Sequence, residues 1–258
     1  MRPVEQLLRA TALAERRHFW FRGFRRFAAP LLHQATKDIS AVRLLDCGCG
    51  TGSNLELLGR FGRAYGFDVT EAGLSIGRES GRTKLVRATV AAAPFPSGAF
   101  DVVASFDVLY SLEAPDERAA VAEMYRLTRA GGFAMVNVAA MESLRGDHSV
   151  LSREVRRYNR ASLGRLLTDA GFEIVRLTYT NASLFLPMLA IRALQRRRGL
   201  AREEHAQQDI TVPPAPVNAL LTAVLVVESW WLRRLDNPFG SSLLCLARKP
   251  EPPGRSRS

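Results

Sequence analysis

Only three of the 258 residues are cysteine, and only three of the 36 basic residues are lysine. No apolar run reaches the roughly 20 residues that a bilayer-spanning helix requires. Each shortage excludes something. Cys47, Cys49 and Cys245 are too few for a disulfide framework, and no second Cys or His pair at ligand spacing accompanies the first two, so neither a stapled secreted fold nor a metal knuckle is expected. The first 20 residues lack the unbroken apolar core and small-residue cleavage site of an export signal, which makes the cytoplasm the expected compartment. The longest apolar segment, 217–232, is interrupted by Asn218, Thr222 and Glu228. It reads as a lid or core helix, with a membrane-surface or dimer contact as the alternative that Trp230, Trp231, Arg233 and Arg234 keep open.

The formal charge of +11 comes almost wholly from arginine, clustered at 16–26, 153–160, 192–202 and in the tail. Such a balance favours anionic partners of several kinds, including phosphorylated metabolites, acidic lipid headgroups and RNA, and codon bias toward arginine accounts for it equally well. Nucleic acid is not the expected partner, because no RNA-binding module accompanies the basic and aromatic interleaving at 15–26.

From about 42 to 180, short apolar runs alternate with helical patches, the pattern of a parallel sheet covered on both faces in an α/β fold. Strands are expected at 42–46, 63–67, 84–88, 100–106, 132–139 and 172–179, with a last one at 241–247. Val121, Met124 and Leu127 recur at helical spacing, and Gly131-Gly132 is expected to end that helix. A second helix over 161–170 stops at Gly171. The chain thus divides into an N-terminal helical arm or cap (1–41), a core (42–180), a helical insertion (181–240) broken by Pro213, Pro214 and Pro216, a final core strand (241–248) and a disordered tail (249–258).

The first strand ends in Asp46 and runs into Gly48, Gly50 and Gly52, a turn leading to a helix at 53–58. Glycines there let a ligand approach the backbone with no Cβ in the way. Asp68, 20 residues after Gly48, ends the second strand, where a carboxylate can accept both hydroxyls of a ribose. The G-x-G-x-G spacing differs from the G-x-G-x-x-G that cradles a dinucleotide diphosphate, which favours a nucleoside ligand without one and leaves a nicotinamide-dependent oxidoreductase as an alternative.

Four blocks in order, DCGCGTG at 46–52, GFDVT around Asp68, AAAPFPSGAFDVVASFDVL at 91–109 and RAGGFAMVNV at 129–138, resemble the class I S-adenosylmethionine-dependent methyltransferases of the type 11 kind. The arm ERRHFWFRGFRR, RRY at 156–158 and TYTNASLFLP at 178–187 are similar to a bacterial subset of them. The resemblance implies a doubly wound, seven-stranded Rossmann-like sheet whose seventh strand is inserted antiparallel, with S-adenosylmethionine as cofactor, S-adenosylhomocysteine as product, and no metal. It implies that Asp46 and the loop Gly48, Cys49, Gly50, Thr51 and Gly52 face the methionine part, Asp68 the ribose and Val69 the adenine. Thr89 and Val90 stand at the adenine edge, Thr89 where the family usually has an acid. Phe106 and Asp107 border cofactor and acceptor, and Tyr110-Ser111 replaces a common His.

Methyl transfer from a sulfonium is an in-line displacement that rewards positioning, and it needs a base only for a protonated acceptor. His148, just after the fifth strand, is the titratable candidate, and Tyr158 is a candidate for holding an acidic acceptor. His18, Trp20, Tyr110, Arg157 and Asn181 are the candidate acceptor contacts. The expected acceptor is a small molecule, anionic or linked to a lipid or glycan, methylated on oxygen by preference. A catalytically silent S-adenosylmethionine-binding protein of the same fold is the alternative, and peripheral contact with a membrane stays open.

Overall fold

The computed structural model of the protein describes residues 12, 14–146, 149, 154–198 and 212–252. Seven strands form one sheet: β1 (Arg43–Cys47), β2 (Arg63–Asp68), β3 (Leu85–Arg87), β4 (Phe100–Phe106), β5 (Thr128–Ala139), β6 (Glu173–Thr180) and β7 (Ser242–Arg248), in the order β3-β2-β1-β4-β5-β7-β6. The first five pair in parallel, and β7 lies antiparallel between β5 and β6. The order reverses between β1 and β4, so the crevice beyond their C-terminal ends is where ligands bind in such sheets.

Helices α1 (Phe19–Thr36), α2 (Leu55–Leu58), α3 (Glu71–Glu79), α4 (Ala114–Leu127), α5 (Arg160–Asp169), α6 (Phe185–Arg198) and α7 (Ala215–Trp231) surround the sheet. β4 is buried along its whole length because apolar layers cover both sides. On one side Val121, Met124 and Leu127 of α4 and Leu163 and Leu167 of α5 pack on Val103, Val136 and Val138. On the other, Phe27, Leu31 and Leu32 of α1 and Leu225 of α7 pack on Val102, Ala104, Met135 and Leu244.

Three sequence expectations are corrected. The helix after the glycine turn is a single turn, since 51–54 remain in turns before Leu55. Gly131-Gly132 do not end α4: Thr128 is already extended, at ψ 130°, and Gly131, at φ +71°, lies inside β5 where the pairing with β4 slips. Lys249, placed with the tail, is pinned instead: its ammonium donates to the carbonyls of Tyr125 at 2.6 Å and Thr128 at 2.9 Å. Residues 253–258 of that tail lie outside the described residues.

The arm and the insertion share one layer. Phe19 N–H donates to Asn218 Oδ1 at 2.8 Å, and Asn218 Nδ2 returns a bond to the Arg17 carbonyl at 2.8 Å. The two helices cross so closely at Gly23 that a Cβ there would come within 2.4 Å of Leu225 Cδ1. Among the described residues, no helix is long and apolar enough to cross a membrane.

Candidate active site

The parallel register brings the ends of β1, β2 and β4 to one rim, and an aspartate stands at each: Asp46, Asp68 and Asp107. After Asp46 the chain turns on Gly48, Gly50 and Gly52, with φ +75°, +56° and +76°. These left-handed values are cheap only for glycine. The N–H groups of Gly48 and Cys49 both donate to the Phe67 carbonyl at 2.9 Å. Behind the turn, a Cβ on Gly77 of α3 would sit 2.5 Å from the Thr51 carbonyl oxygen, so α3 carries glycine where the loop rests on it. Above Gly50 there is open space, with no atom within 4 Å of an added Cβ.

Asp46 is buried, and neither carboxylate oxygen has a hydrogen-bond partner among the described residues. Burial first, then the charges of Asp68 and Glu15, push its carboxyl up to about 8 against the pull of the Asn54 side chain, a polar neighbour that falls short of hydrogen-bond geometry. Asp68 is already engaged: Oδ2 accepts from Gly50 N–H at 2.8 Å, while Oδ1 accepts from the Thr70 N–H at 2.8 Å and from the Thr70 hydroxyl. It therefore braces the turn, leaving its remaining lone pairs for a ligand. Glu15 was legible only as the first residue of the arm. It reaches the loop from above, accepting from the Thr51 hydroxyl at 3.5 Å, and burial raises its pKa. Asp107 is held at φ +61°, where a side chain is strained, by Asn137, whose carbonyl accepts from its N–H and whose amide donates to its carboxylate, both at 2.9 Å. The thiols of Cys47 and Cys49 are buried, and burial pushes both well above the ordinary range, so they serve as packing.

Residues 45–136, which hold the glycine turn and the three aspartates, match the family model described as a methyltransferase domain. Over this segment the chain is similar to that methyltransferase domain family. Solved structures show the same fold at low identity. The [4+2]-cyclase SpnF is 22% identical, with 88% of this chain and 81% of that chain covered and a TM-score of 0.55. A chain of the complex between the Haloferax volcanii Trm112 methyltransferase activator and a protein named as a methyltransferase is 20% identical, with coverage of 93% and 94% and a TM-score of 0.58. Phosphoethanolamine N-methyltransferase 2 of Haemonchus contortus, in complex with S-adenosyl-L-methionine, is 16% identical, with coverage of 86% and 51% and a TM-score of 0.54. No curated protein matches the sequence.

Around the glycine turn, the other expected cofactor contacts lie along the same rim. Val69 is 64% exposed beside Asp68, Thr89 is exposed, and Val90 is half-buried. Phe106 is buried under the arm, edge-to-face with Phe24 at 5.0 Å.

Several acceptor-side expectations meet internal partners instead. Tyr158 is buried and its hydroxyl donates to Glu117, whose other oxygen takes Arg156 at 2.5 Å. Burial and Glu117 raise the Tyr158 phenol far above its ordinary value, which suits a structural bond rather than proton transfer. Arg157 forms a bidentate pair with Glu154, at 2.8 and 3.0 Å. Asn181 is buried at φ +62° and donates to Ser241 Oγ at 3.1 Å, forming the hinge into the insertion. Tyr110 is buried, and its carbonyl accepts from Val155 N–H at 2.8 Å. His18 caps α1, its Nδ1 accepting from Trp20 N–H at 3.2 Å, and both residues are half-buried. His148 lies outside the described residues.

Proposed function

We propose that this domain binds S-adenosylmethionine at the turn after β1 and transfers its methyl group to a small-molecule acceptor, leaving S-adenosylhomocysteine. The observation that carries this is the acidic cluster of Asp46, Asp68 and Glu15 around an open glycine turn, with both Asp46 oxygens orphaned. Orphaned buried acceptors call for donors, and the ammonium of a cationic cofactor supplies them. A diphosphate would meet three carboxylates there, which counts against the nicotinamide alternative.

The cofactor would contribute a methyl group made electrophilic by its sulfonium. Asp46 and the loop Gly48–Gly52 hold the methionine end, Asp68 the ribose, and Val69 the adenine face, with Thr89 and Val90 at its edge. Asp107 and Phe106 border the acceptor. Asp107 is exposed at the mouth of the site, and its carboxylate is oriented by the Asn137 amide at 2.9 Å. We assign it to take the proton of a hydroxyl acceptor. Methylation on oxygen, of an anionic or lipid- or glycan-linked acceptor, is the preferred reading, with His18 and Trp20 of the arm on the acceptor side.

Calorimetry with S-adenosylmethionine, followed by a radiolabelled methyl screen over metabolite extracts, tests this: binding with labelled product is expected. Binding without product would favour a catalytically silent protein of this fold. Thr89 and Ser111, where the family usually has an acid and a His, motivate that second reading, as does the likeness to a fold-mate named as a cyclase. Asp68→Ala removes both a ribose acceptor and the brace on Gly50, so it is expected to weaken S-adenosylmethionine binding by about 1–3 kcal/mol. An unchanged dissociation constant would reject the ribose assignment.

A further inference from the structure

Helix α7 reverses the arrangement expected of a surface helix. Its polar residues Asn218, Thr222, Glu228 and Ser229 are buried. Its outward face is entirely apolar, with Leu220 65% exposed and Trp230 61% exposed, alongside exposed Val217, Val227 and Trp231. Helix α6 has no buried residue and carries its own exposed stripe, Leu186, Ile191 and Leu194. Both helices pack on the single turn Ala182–Leu184, and α6 packs also on the turn Glu142–Leu144. Each stripe leads into exposed arginines, Arg233 and Arg234 after α7 and Arg197 and Arg198 at the end of α6.

The inward polar set is accounted for by its bonds, Asn218 to the arm and Glu228 to the turn after β6. Apart from Trp231, whose indole N–H donates to Asn237 Oδ1 at 2.9 Å, the outward apolar set has no such account among the described residues, and exposed apolar surface of this extent marks a place of contact. We infer that the α6–α7 face docks on the surface of an anionic lipid membrane. Trp230 and the aliphatic stripe enter the boundary between headgroups and acyl chains, and the arginines pair with the headgroup phosphates.

Charge decides between this occupant and a second copy of the chain. Two such faces packed together would bring chains of formal charge +11 into contact with no acidic side chain on either exposed stripe to meet the arginines, whereas an anionic lipid surface neutralises them. Among the described residues no helix is long and apolar enough to cross, so the contact is with the surface of the bilayer. This inference stands apart from the methyl-transfer reading, because it uses residues of the insertion and no cofactor contact.

The test is co-sedimentation of the full chain with vesicles of phosphatidylcholine alone and of an equimolar mixture with phosphatidylglycerol. Binding to the mixed vesicles only is expected, with a blue shift of tryptophan emission. Arg233→Gln with Arg234→Gln is expected to lower partitioning roughly fivefold per arginine. Leu220→Gln with Trp230→Gln is expected to abolish the blue shift at an unchanged thermal midpoint, since both side chains are already exposed. Should that variant fail to fold, quenching of the wild-type tryptophans by brominated lipid is the deciding measurement, with quenching expected. No binding, equal binding to both vesicles, no quenching, or a solution dimer that the Leu220→Gln/Trp230→Gln variant dissolves would each overturn the inference.

Discussion

Glu228→Ala is expected to lower the unfolding free energy by about 3–5 kcal/mol, with a drop in Tm on the order of 10 °C. Glu228 sits in the last turn of an apolar helix and is fully buried. Its Oε1 accepts from Ala182 N–H at 2.9 Å and from Asn237 Nδ2 at 2.9 Å, and its Oε2 from Ser183 N–H at 3.0 Å and Ser183 Oγ at 2.6 Å. One carboxylate thus ties together the start of the insertion, α7 and the segment returning to β7. Truncation removes the acceptor of four donors and leaves the buried Asn237 amide without it, and a donor that water cannot reach costs more unpaired than its bond contributed net. Glu228→Gln keeps one oxygen and turns an N–H₂ toward the other donors, so it should lose about half as much. Chemical denaturation with matched slopes measures both, and a loss below about 1 kcal/mol for Glu228→Ala would show that the insertion is held by apolar packing alone.

Affinity for S-adenosylmethionine is expected to rise about tenfold per pH unit between pH 6 and 7.5, with a proton released on binding. The reason lies in Asp46. Burial, with Asp68 and Glu15 nearby, raises its carboxyl to about 8 from the ordinary 3.8. Before binding, it is therefore mostly protonated at neutral pH. A folded-state value above the unfolded one means that its contribution to stability is complete below the unfolded pKa and is lost as pH rises through about 8. An ammonium brought against it favours the ionised form, so binding must expel the proton, and this becomes easier as pH approaches 8. Titrations in two buffers of different ionisation enthalpy measure that release. Asp46→Asn should bind more weakly and lose the pH slope, and an affinity flat from pH 6 to 7.5 in the wild type would show that Asp46 does not pair with the cofactor.

What could be read along the chain followed from local causes. Glycine at 48, 50 and 52 announced a turn because only glycine takes left-handed values cheaply. Unbroken apolar runs announced buried parallel strands, and β4 came out over the expected residues. The end of α4 was misplaced because Gly131-Gly132 signals a helix stop and a slip in strand pairing equally well, and only the neighbouring β4 distinguishes them.

The acceptor side resisted the same reading because its residue types serve two purposes. Tyr158, Arg157 and Asn181 have the chemistry of ligand contacts, and whether they face a ligand or another residue depends on Glu117, Glu154 and Ser241, the first and last of which are distant in sequence. Glu15 carries no local mark at all, and its place over the glycine turn exists only because the arm folds back on it.

By itself, then, the sequence determined the α/β core and the glycine turn with its aspartates, because strand period, turn conformation and their spacing are local properties. Tertiary structure decided that Asp46 is left with orphaned oxygens, that Glu228 locks the insertion, and that α7 turns its polar side inward and its tryptophans outward. Those outcomes depend on which surfaces meet, and burial and hydrogen bonding are assigned only once they do.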